Sequence, residues 1–160
     1  MANIRLDETD AKLLELLQRN AKMTTKELCE ELHISKTPVY ERIHRLEKVG
    51  VIRGYTALID NRLAGLPLTV FLNVALAAHD NEHVMGFKAE IVKIDEVMEC
   101  YSIGGNYDIL LKVVVRDLDA YNKFVFEKLT KVPGIVKMQS SFVLREFKAT
   151  TVMNIPVSRD

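Results

Sequence analysis

Along the first fifty residues, apolar side chains recur at three- and four-residue steps: Leu13, Leu14 and Leu17, then Leu28, then Val39, Ile43 and Leu46. That is the 3.6-residue period of helices that bury one face. Start signals precede each stretch. Thr24 reads as an N-cap with Glu27 as the partner of a capping box, and Met23 and Leu28 form a hydrophobic staple. The same arrangement is expected at Ser35, with Ile34 and Val39 as staple, and at Asp7, with Leu6 and Ala11. Three caps predict three helices, over about 7–20, 24–32 and 35–48, the last stopped by Gly50. Two helix starts eleven residues apart, at Thr24 and Ser35, have the spacing of a helix-turn-helix, which presents its second helix to the DNA major groove.

The period changes further along. Val51–Asp60 is expected to leave the helical unit as a short strand, and Asn61–Pro67 to break it as a hinge. Leu68–Ala78, Val97–Ile103, Ile109–Val115 and Ile135–Phe147 then read as strands. Between them lie two amphipathic helices. Asp80 is expected to cap the first, with Val84, Phe87, Ile91 and Ile94 inward; Asp117 caps the second, with Leu118, Tyr121, Phe124, Val125 and Leu129 inward. The order βαββαβ predicts a four-stranded antiparallel sheet with both helices on one face. Apolar residues on the other face then need a cover, and a second copy of the sheet supplies it. Val152–Val157 is a candidate edge strand. The fold class expected is α+β: a winged-type helix-turn-helix over 1–54, a strand and hinge over 55–67, and a ferredoxin-like βαββαβ domain over 68–160 that binds a ligand and oligomerises.

The overall charge is zero, with 22 Lys and Arg against 22 Asp and Glu, so DNA binding would need a local patch. His33–Gly54 carries Lys36, Arg42, Arg45, Lys48 and Arg53 against Glu41 and Glu47, a net +3, whereas residues 1–32 carry a net −2. Positive charge is thus focused on the third helix, as phosphate neutralisation requires; a solvated surface helix is the plainer reading. Its outer arc holds Lys36, Thr37, Tyr40, Glu41, His44, Arg45 and Lys48. Arg42, on the flank, either pairs with an acid such as Asp10 or contacts a phosphate, and the structural role is the one expected. The chain has two cysteines, Cys29 and Cys100, which read as small buried residues rather than a disulfide framework. No signal peptide, membrane span or cofactor is expected, and a reducing cytoplasm fits. His79 and His83 have helical metal-ligand spacing, but no third ligand accompanies them, so no metal is expected. A nucleophile motif and a Walker loop are both lacking.

Leu6-Asp7, Asp10, Glu27-Leu28, Leu32, Ser35, Arg42-Ile43, Leu46-Glu47, Gly50-Val51-Ile52 and Gly54-Tyr55 follow the helix-turn-helix signature of the Lrp/AsnC, or feast/famine, transcriptional regulators. Glu99-Cys100-Tyr101, Gly105-Asn106-Tyr107-Asp108, Leu111, Pro133-Gly134 and Lys148 resemble that family's effector domain, in the family's order. The resemblance spans essentially the whole chain. It implies a DNA-binding homodimer, often an octamer, with an amino acid or close metabolite bound between dimers. Two positions depart from the pattern: Gly104 stands where members usually carry Thr or Ser, and Ser140 matches a family threonine.

The turn Gly104-Gly105-Asn106-Tyr107-Asp108 has chemistry suited to an amino acid. Asp108 offers a partner for an ammonium, the N–H groups of Gly105, Asn106 and Tyr107 offer donors for a carboxylate, and Ser140 adds a hydroxyl. A plain hairpin, braced by its aspartate, accounts for the same residues. Two other functions are compatible with the same pattern. Siroheme decarboxylases use the same two-domain fold, but none of the four histidines is obviously placed for tetrapyrrole chemistry. An effector-independent architectural DNA-binding protein is the other.

Overall fold

A computed structural model of the 160-residue chain describes residues 4–78 and 81–157, with the backbone alone for 81–83. The chain divides into two compact units, Met1–Leu58 with Phe147–Asp160, and Ile59–Glu146. The expected cap at Asp80 and the His79/His83 pair lie outside the described residues.

The first unit is built on α1 (Glu8–Arg19), α2 (Thr25–Leu32) and α3 (Lys36–Lys48). At α1 the capping box is reciprocal: Asp10 N–H donates to Asp7 Oδ1 at 2.7 Å and Asp7 N–H to Asp10 Oδ2 at 3.2 Å. At α2, Thr24 N–H donates to Glu27 Oε2 at 2.6 Å and Glu27 N–H to Thr24 Oγ1 at 3.3 Å. The third cap differs from expectation. Ser35 is the N-cap residue of α3 but makes no side-chain cap bond. A capping hydroxyl accepts from the second or third helical N–H, and the third position here is Pro38, which has none. The tight turn between α2 and α3 passes through His33, the non-glycine residue with a left-handed backbone among those described (φ 55°). Leu13, Leu14, Leu28, Val39 and Leu46 form the buried core, with Leu17 and Ile43 packed against it.

Val51–Asp60 does not form the expected strand. Val51 and Ile52 N–H groups fold back onto Leu46 C=O at 2.9 and 3.1 Å. Beyond them, up to Asp60, no residue joins a ladder; a strand needs a neighbour for its N–H and C=O groups. The C-terminal tail also departs from expectation. It forms no edge strand, and it belongs to the first unit rather than to a domain running to residue 160. The Gln18 side chain donates Nε2–H to Met153 C=O at 3.1 Å and accepts Met153 N–H at 2.7 Å, while Ile155 packs against the helical core.

The second unit contains β1 (Leu68–Leu76), α4 (Asn81–Ile91), β2 (Val97–Ser102), β3 (Ile109–Val115), α5 (Leu118–Glu127) and β4 (Ile135–Phe142). The sheet order is β2-β3-β1-β4 with every pairing antiparallel. One face buries Val70, Leu72, Val74 and Leu76 of β1 and Ile109, Leu111, Val113 and Val115 of β3 beneath Phe87, Ile91, Tyr121, Phe124 and Leu129. Leu118, expected inward, is 55% exposed in the first turn of α5. β4 ends at Phe142, not Phe147, because its neighbour β1 runs out: Val70 pairs with Phe142, and Val143 N–H makes a last bond to Thr69 C=O. The opposite sheet face is mixed rather than apolar. Phe71, Leu110 and Tyr101 are interspersed with Asn73, Gln139 and the Glu99–Lys112 pair at 2.9 Å.

Candidate nucleic-acid interface and ligand turn

Burial of the Val39/Leu46 stripe fixes the rotation of α3 about its axis, and that rotation sets its outer face. Lys36, Thr37, Tyr40, Glu41, His44, Arg45 and Lys48 are all exposed. Tyr40 and His44, one turn apart, stack with ring centroids 6.3 Å apart and planes 9° from parallel. The face thus offers a flat aromatic pair flanked by cations.

Arg45 does not extend freely from this face, as its place on the outer arc led one to expect. Its Nη2 donates to Asp10 Oδ2 at 2.5 Å. Arg42, one helical turn earlier, donates to Asp10 Oδ1 at 2.6 Å and to both Asp7 oxygens at 2.9 and 2.7 Å, the structural role expected of it. Asp10 is 1% exposed. Burial pushes its carboxyl up, but the hydrogen bonds from Arg45 and Arg42 outweigh this and hold it below the ordinary aspartate value. Burial likewise lowers Arg42, and its bonds to Asp7 and Asp10 more than restore it. Asp7, Pro38, Glu41, Arg42 and Arg45 line an open concavity of about 370 Å³ at this point. The pairing of Arg45 with Asp10 spans 35 residues, and no spacing along the chain signals it.

In the second unit, Gly104–Asp108 connects β2 to β3. Ile103 N–H donates to Asp108 C=O at 2.8 Å, and Asp108 N–H to Val74 C=O at 3.0 Å. Gly105 has φ 129°, a conformation that essentially requires glycine. The Asp108 carboxylate accepts Leu76 N–H at 2.8 Å through Oδ2, next to the register shift between Ala75 and Leu76. It therefore braces the end of β1. Tyr107 donates its hydroxyl to Gln139 Oε1 at 2.7 Å, and Lys137 Nζ lies 5.3 Å from its ring centroid. Ser140 is not gathered into this group. Its strand register sets it opposite Leu72, on the helix side, where its hydroxyl pairs with that of Tyr121 at 2.5 Å. Alternation along β4 puts Gln139 and Lys137, which sequence reasoning passed over, on the side reached by Tyr107. Among the described residues no group of three His, Cys, Asp or Glu could hold a metal, and no helix is long and apolar enough to cross a membrane.

Residues 6–53 match the winged helix-turn-helix DNA-binding family, and residues 69–153 the Lrp/AsnC ligand binding domain. The leucine-responsive regulatory protein of Haemophilus influenzae is 36% identical over 151 residues, covering 94% of this chain and 91% of its own. The DNA-binding transcriptional activator DecR of Escherichia coli is 34% identical over 150 residues, covering 94% of this chain and 99% of its own. A Neisseria meningitidis transcriptional regulator solved in complex with L-Met superposes with a TM-score of 0.87 at 36% identity, covering 92% of this chain and 96% of that one. An AsnC family regulator from Agrobacterium tumefaciens gives the same score at 33% identity, with the same coverage. With a helix-turn-helix unit over α1–α3, a four-stranded α+β ligand unit and relatives matched along nearly their whole length, the chain belongs to the Lrp/AsnC family of transcriptional regulators.

Proposed function

We propose that this protein is a non-enzymatic, cytoplasmic regulator that reads duplex DNA with α3 and changes its DNA affinity or assembly when its second unit takes up an amino acid. The observation that carries the reading is the outer face of α3: Lys36, Thr37, Tyr40, Glu41, His44, Arg45 and Lys48 are exposed together, on the element that concentrates the positive charge of an otherwise neutral chain. Lys36, Arg45 and Lys48 supply phosphate or base contacts, and Thr37, Tyr40, Glu41 and His44 present groups to base edges. A homodimer, or an octamer of four dimers, sets two such helices on a two-fold-related site. In the second unit the backbone donors of Gly105, Asn106 and Tyr107 take the effector carboxylate, with Gly104 leaving space, and Asp108 faces its ammonium while bracing β1. Ser140 supports this region from β4 through Tyr121 rather than by touching the ligand.

Binding to a duplex selected from a random pool, measured across salt concentrations, tests the DNA reading. Three phosphate contacts per protomer predict a log–log slope of about −3, doubled in a dimer. A slope near zero would remove the interface. Calorimetry with L-Met, L-Leu and the other amino acids tests the effector. A ligand present at 100 times its Kd raises stability by about 2.7 kcal/mol, and no shift with any amino acid would leave an effector-independent DNA-binding protein.

A further inference from the structure

Asp10 is a buried carboxylate set beneath the DNA-facing helix, and stability alone accounts poorly for it. Its capping bond from Asp7 N–H needs an acceptor oxygen but no charge, and desolvating an ion pair offsets most of its attraction. A negative charge this close to the interface also opposes phosphate binding. What the carboxylate does supply is geometry. Its Oδ1 is held by Arg42, and its Oδ2 by the Asp7 N–H at 3.2 Å and by Arg45 Nη2 at 2.5 Å. Asp10 is itself buried, 1% exposed, in the first turn of α1. Arg45 keeps 44% of its side chain exposed, and a guanidinium has five N–H donors in a rigid fork. One corner of that fork is anchored, and the exposed part points away from the core.

Resting on the reading of α3 as the DNA-contacting helix, we propose that Asp10 is a positioning residue for sequence recognition: it pre-sets the Arg45 guanidinium so that its outer edge meets the DNA already oriented. The long side chain is then ordered during folding rather than on binding. Immobilising such a side chain at an interface corresponds to about a two- to tenfold change in affinity. The same carboxylate lowers affinity for DNA in general through its charge. Asp10 therefore trades non-specific for specific binding.

The opposed signs make the test. The full-length protein is titrated with a duplex selected by the wild type from a random pool and with a scrambled duplex of the same composition. Asp10→Asn is expected to weaken the selected duplex by about two- to tenfold while the scrambled duplex binds unchanged or more tightly, and the loss is expected to disappear when Arg45→Gln is already present. Equal losses on both duplexes, or an unchanged effect of Asp10→Asn in the Arg45→Gln background, would overturn the proposal, since a merely structural role predicts those results. If Asp10→Asn does not fold, the wild type decides. Its Arg45 guanidinium resonances should show slowed rotation in the absence of DNA, and rapid averaging there overturns the proposal. Normal binding of the selected duplex by Arg45→Gln alone would remove Arg45 from the interface and the proposal with it. A loss with Arg45→Gln but none with Asp10→Asn would refute the positioning role and leave the interface standing.

Discussion

A helix-turn-helix of under sixty residues buries little apolar surface and is marginal alone, and here its core is completed from the far end of the chain. We predict that Ile155→Ala loosens the DNA-binding unit more than its own neighbourhood in sequence. Ile155 is partly buried against a core that includes Leu13, Leu14 and Leu46. Truncating a fully buried isoleucine to alanine costs about 2–5 kcal/mol, so a half-buried one costs about 1–2 kcal/mol. Gln18→Ala removes both bonds to Met153, 3.1 and 2.7 Å long. These are exposed and contribute about 0.5–1 kcal/mol each. Both changes act on one docking event, so together they are expected to fall short of additivity. Native-state hydrogen exchange on the full chain reads the effect: α1 amides near Leu13–Leu17 should exchange about tenfold faster in Ile155→Ala, while α5 amides stay as they were. Exchange in α1 unchanged within about twofold would show that the tail merely rests on the surface, and the reasoning would fail.

Asp108→Ala should cost about 1–3 kcal/mol in denaturant unfolding by leaving Leu76 N–H without its acceptor. Asp108→Asn, which keeps an acceptor oxygen, should melt nearly normally but bind an amino-acid effector about ten- to a hundredfold more weakly in calorimetry. A normal Kd would remove the ligand role of Asp108. Gly105→Ala, at φ 129°, should destabilise the second unit by about 1–3 kcal/mol, measured by its melting temperature. Residues 59–146 alone should form a dimer or larger species without DNA affinity; a folded monomer in light scattering would contradict the coverage expected for Phe71, Leu110 and Tyr101. Acid should destabilise the protein. Asp10, Glu96 and Glu99 are held below their ordinary values: burial raises Asp10 and Glu96, but bonds from Arg45 and Lys128 outweigh it, and the Lys112 bond lowers Glu99. Their contribution is complete above the unfolded carboxylate pKa of about 4 and is lost as pH falls through the lower folded values, so the urea midpoint should drop from pH 5 towards pH 3, less steeply in Asp10→Asn.

Local rules carried the sequence a long way. Helix starts at Asp7 and Thr24 were legible because a capping box is a contact between residues three apart, and the core faces of α3 and β1 because period alone selects them. The βαββαβ order, with its antiparallel sheet, followed from the alternation of two periods. Where local rules competed, chemistry three residues away decided: Pro38 removed the donor that Ser35 would have capped. The remainder depended on partners distant in sequence. Val51–Asp60 had the composition of a strand and no neighbour to pair with. Ser140 had a suitable hydroxyl, but register turned it towards Tyr121 and gave Gln139 to Tyr107. Arg45 lay on the exposed arc of its helix, and only the packing of α1 against α3 brought Asp10 to it across 35 residues. Gln18 met Met153 across 135 residues, a separation at which no spacing pattern survives. Propensity, capping and periodicity are properties of neighbours along the chain, so the sequence by itself determined the helices, the four paired strands and most of their buried faces. Charge pairing, strand register and tail docking depend on which surfaces meet after the core has formed, and the tertiary structure alone decided those.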